Sequence, residues 1–236
     1  MKFARTEKYH MDFQRTKMMG PNSMRITEEL LYNLELRPIM TALDVGCGLS
    51  LSSLLVAKEY GMRVFACDLW VDPADNFAFY KKINMEKQII PMRVDFSEDI
   101  PFANGYFDLI LSVDSFHYFG DRIDIGEKIL PLLKPNGTLA LSFPVLKSGE
   151  IPQVLHDWFG EDINMMHTLD WWKSRFESCA DVNIVECGFC ECNEQAWEDW
   201  LNCENNEFAM ADRKFADNGA LEYLQTAKFV ITRKSE

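Results

Sequence analysis

The chain has 236 residues, of which 47% are apolar and 26% charged, and a formal net charge of −13. That length fits one domain with a sizeable core. The acidic balance argues against nucleic-acid partners, whose phosphates call for a basic face, and no apolar run approaches the ~20 residues that insert into a bilayer. Seven cysteines, an odd number, and a first stretch "MKFARTEKYHMDFQRTKMMG" without a signal-peptide core point to reduced thiols and a cytoplasmic location.

Residues 1–24 alternate charge with apolar residues and fit no regular element, so they are expected to form an N-terminal cap. Five short apolar runs then predict strands: "TALDV" (41–45), "RVFAC" (63–67), "IPMRV" (90–94), "FDLILSV" (107–113) and "TLALSF" (138–143). Helix-like segments separate them. In "LSLSSLLVAKEYG", Leu51, Leu54 and Leu55 share a face and Gly61 is placed to stop the helix. Strand–helix alternation at this spacing predicts parallel strands with helices on both faces, a doubly wound α/β sheet. The pattern changes after Phe143. Residues 144–181 are rich in Trp, Met and acids, and are expected to form a lid or acceptor-binding insertion. "VNIVECGFCEC" (182–192) and "AKFVITRK" (227–234) predict two C-terminal strands within 182–236.

"LDVGCGLS" (43–50) carries the first chemical signal. Gly46 and Gly48 allow a tight turn and close approach of backbone to a ligand, and the helix beginning near Ser50 aims its amides there. A dinucleotide site wants a third small residue where this chain has Leu51, and an apolar strand up to the first glycine where this chain has Asp44. NAD is therefore disfavoured. A carboxylate at Asp44 suits a ligand with a positive group, such as the ammonium of S-adenosylmethionine (SAM). Asp68 closes the second strand, about 20 residues on, where a carboxylate accepts from ribose hydroxyls. Asp95 closes the third, where it can take an adenine amino group while Phe96 covers the ring. Three acids at the ends of three consecutive strands are far more specific than a lone Gly-x-Gly.

These residues resemble the class I SAM-dependent methyltransferases, in particular the small-molecule type related to the ubiquinone and menaquinone methyltransferases. "ALDVGCGLS" is similar to the family's first motif, "IPFANGYFDLILSVDSFHYF" to its acidic loop and fourth strand, and "ILPLLKPNGTLALSF" to the helix, turn and fifth strand that follow. "GPNSMRITEELL" resembles a segment that some members carry before the core. One departure is Ser50, where many members have a third glycine. The resemblance covers residues 20–145 and implies a Rossmann-like seven-stranded sheet, mostly parallel, with the last strand inserted antiparallel. It implies a SAM-binding core over 25–143, with Asp44, Gly46, Cys47, Gly48, Asp68, Leu69, Asp95, Phe96 and Val113 on the cofactor and S-adenosylhomocysteine (SAH) as its product.

The acceptor side is less defined. His117, in "SVDSFHYF", is the one candidate general base; alternatively it is a helix-start histidine bonded to backbone. Tyr118 is either core or substrate contact. Trp171 and Trp172 lie in "HTLDWWKSRFES", a predicted helix capped by Thr168, with one ring expected on the core and the other in the acceptor pocket. Cys187 and Cys190 have Cys-x-x-Cys spacing but lack a second close pair, so the metal expectation is none. The chain is thus read as transferring a methyl group to a small-molecule acceptor by in-line displacement, as a monomer or homodimer. The rival readings are a SAM-binding protein without turnover and an NAD-dependent oxidoreductase.

Overall fold

The computed structural model describes residues 3–98, 100–119 and 128–235. In chain order the helices are α1 Met11–Arg15, α2 Ser23–Leu30, α3 Leu51–Tyr60, α4 Pro73–Lys82, α5 Gln153–Phe159, α6 Leu169–Glu177, α7 Asn193–Leu201 and α8 Glu207–Asp217. The strands are β1 Thr41–Val45, β2 Arg63–Asp68, β3 Ile89–Arg93, β4 Phe107–Val113, β5 Leu133–Leu146, β6 Val182–Phe189 and β7 Leu224–Arg233.

The strands form one seven-stranded sheet in the order β3-β2-β1-β4-β5-β7-β6. The first five pair in parallel, and β7 runs antiparallel between β5 and β6. The expected seven-stranded α/β sheet with an inserted antiparallel strand is what the chain adopts. The order reverses beside β1, and in such sheets a ligand crevice opens at that point, beyond the carboxyl ends of the strands.

Alternation along β1 sets both faces of the core. Leu43 and Val45 pack on one side with Phe143, Trp172 and Phe229. Ala42 packs on the other with Val56 and Ala57 of α3 and with Leu111 and Val230. Asp44 shares Ala42's face by the period of two, so its carboxylate is carried under α3. Helix α3 ends where expected, at Gly61 with φ +73°.

Five strands, β2, β3, β5, β6 and β7, differ at their bounds from the sequence expectation, and three of these differences bear on the site or the cysteines. β3 ends at Arg93, so Asp95 sits two residues past the strand, in a turn where its Oδ1 accepts from Ser97 N and Oγ. β5 starts at Leu133, before the turn-like residues Pro135–Gly137. β6 stops at Phe189, leaving Cys190 and Cys192 beyond it. Those two thiols are buried with the α3-side cluster while Cys187 packs on the opposite one, so the Cys-x-x-Cys spacing straddles the sheet.

Candidate active site

The glycine loop is built from the end of β1. Gly46 N and Cys47 N both donate to Cys67 O, at 2.8 and 3.0 Å, which turns the chain sharply back over β2. Gly46 and Gly48 take φ of +74° and +52°. A β-carbon on Gly46 would also lie 2.1 Å from Ser115 Oγ, so glycine is required there on two counts. Ser50 adopts φ +76°, a left-handed conformation that glycine takes more readily. Its hydroxyl is hydrogen-bonded to Tyr80 OH, and this bond offsets part of the ~1–2 kcal/mol cost of a left-handed non-glycine residue.

Asp68 locks this loop to β2. Its Oδ2 accepts from Gly48 N at 2.8 Å, and its Oδ1 accepts from Trp70 N and Val71 N at 2.8 and 2.9 Å. Three amides pre-orient the carboxylate while it still faces the crevice. There a cleft of about 250 Å³ is lined by Asp68, Leu69, Trp70, Asp95, Phe96, Ser97, Tyr118 and Phe119. A second, narrower recess of about 90 Å³ continues from it past Gly46, Cys47 and Gly48 to Val113 and Asp114. Gly46, Asp68, Trp70, Ser115 and Tyr118 line both, so the two form one crevice. Of the expected cofactor residues, all but Asp44 line it.

Asp44 is fully buried. Its Oδ2 accepts from Ser52 Oγ and Ser53 Oγ, both at 2.6 Å, and its Oδ1 makes no hydrogen bond among the described residues. Burial raises its carboxyl to about 6, against the pull of the two serine hydroxyls. The carboxylate therefore fixes the first turn of α3 and does not reach the crevice, because strand alternation points it under the helix.

The N-terminal segment supplies one wall: Lys17, Met19, Gly20, Pro21 and Ser23 line the narrow recess. It is pinned there by buried polar contacts. Asn22 Nδ2 donates to Gln14 Oε1 and Asp199 Oδ2, and Glu28 accepts from Arg5 N and Thr6 N. Neither part of the crevice is lined by any residue of 144–181.

Three expected acceptor-side residues are placed elsewhere. His117 is buried, with its ring 4.2 Å from that of Tyr118 and 6.4 Å from Phe143. Its Nδ1 is buried without a hydrogen-bond partner among the described residues, and burial pushes the imidazole down to about 3. It lies on a one-turn 3-10 helix, Phe116–Tyr118, in which successive side chains diverge by about 120°. Tyr118 therefore faces the crevice and His117 the aromatic core. Trp172 is wholly buried, 4.8 Å from Phe143 between ring centroids. Trp171 stacks on His167 at 3.6 Å and lines no part of the crevice. Thr168 does cap their helix, accepting from Trp171 N.

Asp114 is the crevice residue that the sequence reading passed over. It directly follows Val113 at the carboxyl end of β4, with φ +59°, and its carboxyl makes no hydrogen bond among the described residues. A β-carbon on Gly20 would lie 2.1 Å from its Oδ2. Burial raises it to about 8, and the charge of Asp212 adds to the rise. The signal was available: an acid at the end of a fourth consecutive strand obeys the same rule as Asp68.

Residues 43–141 match the family model described as a methyltransferase domain. Among curated proteins, the chain is 27% identical over 124 residues to the glycine/sarcosine/dimethylglycine N-methyltransferase of Actinopolyspora halophila, a match covering 52% of this chain and 22% of that one. The chain thus spans well under two thirds of that relative. Among solved structures it resembles Haemonchus contortus phosphoethanolamine N-methyltransferase 2, crystallised with phosphomonomethylethanolamine and SAH, at a TM-score of 0.75 and 14% identity, covering 93% of this chain and 55% of that one. It also resembles the [4+2]-cyclase SpnF, at a TM-score of 0.72 and 16% identity over 90% of this chain and 81% of that one.

Proposed function

From the premise that this chain carries a class I SAM-dependent methyltransferase domain, we propose that it transfers a methyl group from SAM to a small-molecule acceptor. The observation that carries the reading is the continuous crevice, whose wide part is lined by Asp95 and Phe96 and whose narrow part is lined by the Gly46–Gly48 turn and Asp114. An adenosine and an amino-acid tail need those two parts, joined past a ribose-binding acid.

In this reading Asp68 accepts from the ribose hydroxyls, Asp95 takes the adenine amino group, and Phe96 packs on the ring. The Gly46–Gly48 turn receives the amino-acid end through its backbone, with Asp44 acting at one remove by anchoring α3. When bound, SAM supplies a sulfonium-activated methyl group. The protein then needs only to align an acceptor and exclude water. Residues 17–23 serve that exclusion as the N-terminal cap.

The fold by itself does not settle the chemistry, since the cyclase SpnF shares it. Calorimetry with SAM, SAH and NAD tests the cofactor assignment. SAM and SAH should each bind with one site per chain and NAD should give no heat; tight NAD binding without a SAM signal overturns the assignment.

A further inference from the structure

The two parts of the crevice meet along a short shared wall of Gly46, Asp68, Trp70, Ser115 and Tyr118. In SAM the sulfur is the atom that joins the ribose to the amino-acid tail. With the adenine beside Asp95 and Phe96 and the tail on the glycine turn, the sulfur falls at this shared wall. Methyl transfer changes one thing there: a positive sulfonium becomes a neutral thioether. The side chains of the wall therefore decide whether donor and product are told apart.

Most of these side chains are already engaged. Ser115 Oγ donates to Val45 O and is hydrogen-bonded to Ser112 Oγ, both at 2.8 Å. The Asp68 carboxylate accepts from three backbone amides and is assigned to the ribose. What remains is a pair of rings. Trp70 and Tyr118 meet edge to face, with centroids 5.2 Å apart and planes at 77°. Trp70 N donates to Asp68 Oδ1 at 2.8 Å, so the residue that carries the indole is tied to the ribose acid. Yet Trp70 is 66% exposed, where tryptophan is ordinarily well covered, and this leaves ring area for a ligand. No protein cation takes that place: Lys17, the one cation lining the crevice among the described residues, sits over the Phe79 ring, 4.0 Å from its centroid.

We propose that Trp70, packed on Tyr118, distinguishes the charged donor from the neutral product by offering its ring to the sulfonium of SAM. The assignment rests on the methyl-transfer reading and deepens it into how the site selects between its two ligands. An aromatic face attracts a cation through its quadrupole, indole most strongly, and has no such attraction for a thioether. In the transfer the acceptor's electron pair bonds the methyl carbon, the C–S pair returns to sulfur, and the positive charge leaves sulfur with the methyl group. The attraction ends at that moment, so the rings favour loading of SAM and departure of SAH. Because the contact weakens as the charge leaves, it raises donor affinity and does not lower the barrier. An indole that merely covered the crevice would hold SAM and SAH alike.

The test is calorimetry of wild-type protein, Trp70→Leu and Trp70→Phe with SAM, SAH and sinefungin, a SAM analogue with an ammonium-bearing carbon in place of the methylsulfonium. Trp70→Leu should weaken SAM about three- to thirtyfold more than it weakens SAH, and sinefungin should follow SAM. Trp70→Phe keeps a smaller π face and should lose less of that selectivity. A melting curve verifies the fold of each variant. If Trp70→Leu does not fold, Trp70→Phe carries the comparison and should weaken SAM at least about twofold more than SAH. Equal weakening of SAM and SAH, or unchanged affinity for both, overturns the assignment, as does sinefungin following SAH. Failure of wild-type protein to bind either SAM or SAH would instead remove the underlying methyl-transfer reading.

Discussion

Gly20 and Asp114 meet where the N-terminal segment crosses the carboxyl edge of the sheet, so closely that a β-carbon on Gly20 would lie 2.1 Å from Asp114 Oδ2. The cap and this crevice carboxyl are thus fitted to each other. Gly20→Ala must move one of them. It should cost about 1–3 kcal/mol of stability as an overpacked contact and lower methyl transfer more than SAM affinity. Melting temperature, SAM titration and turnover on this one variant check it; unchanged turnover would detach Gly20 from the site.

Asp68 is the second test position. A charge-assisted hydrogen bond is worth roughly 1.5–3 kcal/mol, so Asp68→Ala should weaken SAH about 10- to 150-fold. The lost amide contacts of Gly48, Trp70 and Val71 add loosening of the loop to this. Calorimetry with SAH reads the change, and an unaltered dissociation constant would move the ribose contact elsewhere.

His117 separates a core role from a catalytic one. Its folded-state value of about 3 lies below the ~6.5 of an exposed histidine. The unfolded chain therefore binds the extra proton first as pH falls. Stability from this site is present above about pH 6.5 and is lost progressively as pH drops toward 3. His117→Phe should flatten the acid side of the melting-temperature profile in that window and leave turnover within twofold. A loss of turnover of 100-fold or more would restore the base role.

The tryptophan pair should divide in the same way. Trp172→Ala removes a wholly buried ring and should cost about 3–5 kcal/mol. Trp171→Ala should leave both SAM affinity and turnover within twofold, because its ring lies on His167 outside the crevice. Denaturant unfolding measures the first and steady-state kinetics the second; a large rise in acceptor KM for Trp171→Ala would put that ring back in the pocket.

Much of this architecture was legible because it is written in local patterns. β1 and β4 were bounded correctly from apolar runs that end in an acid or a turn. The inserted β7 followed from family resemblance, since nothing in "AKFVITRK" states its direction. β5 was read too short because Lys134, Pro135, Asn136 and Gly137 look like a turn, yet pairing of Leu133 with Phe107 across a bulge keeps them in the strand.

The site divided along the same line. Asp68 and Gly46, tied to strand ends, line the crevice. On the one-turn helix Tyr118 lines it too, while the neighbouring His117 is buried. Asp44 was expected on the crevice, and an alternating strand gives its carboxylate to α3. Residues 144–181, expected as a lid, line neither part of the crevice, and their Trp158 indole donates to Asp212.

The most direct measurement of the central claim is movement of the methyl group itself. The protein is incubated with methyl-labelled SAM and a protein-free extract of small metabolites, and label is followed by mass after chromatographic separation. The account predicts one SAH formed per labelled methyl transferred, label in a new small-molecule product, and loss of both with Asp68→Ala. SAM binding without any transfer of label would contradict the methyltransferase assignment, and would leave the chain a cofactor-binding protein of this fold.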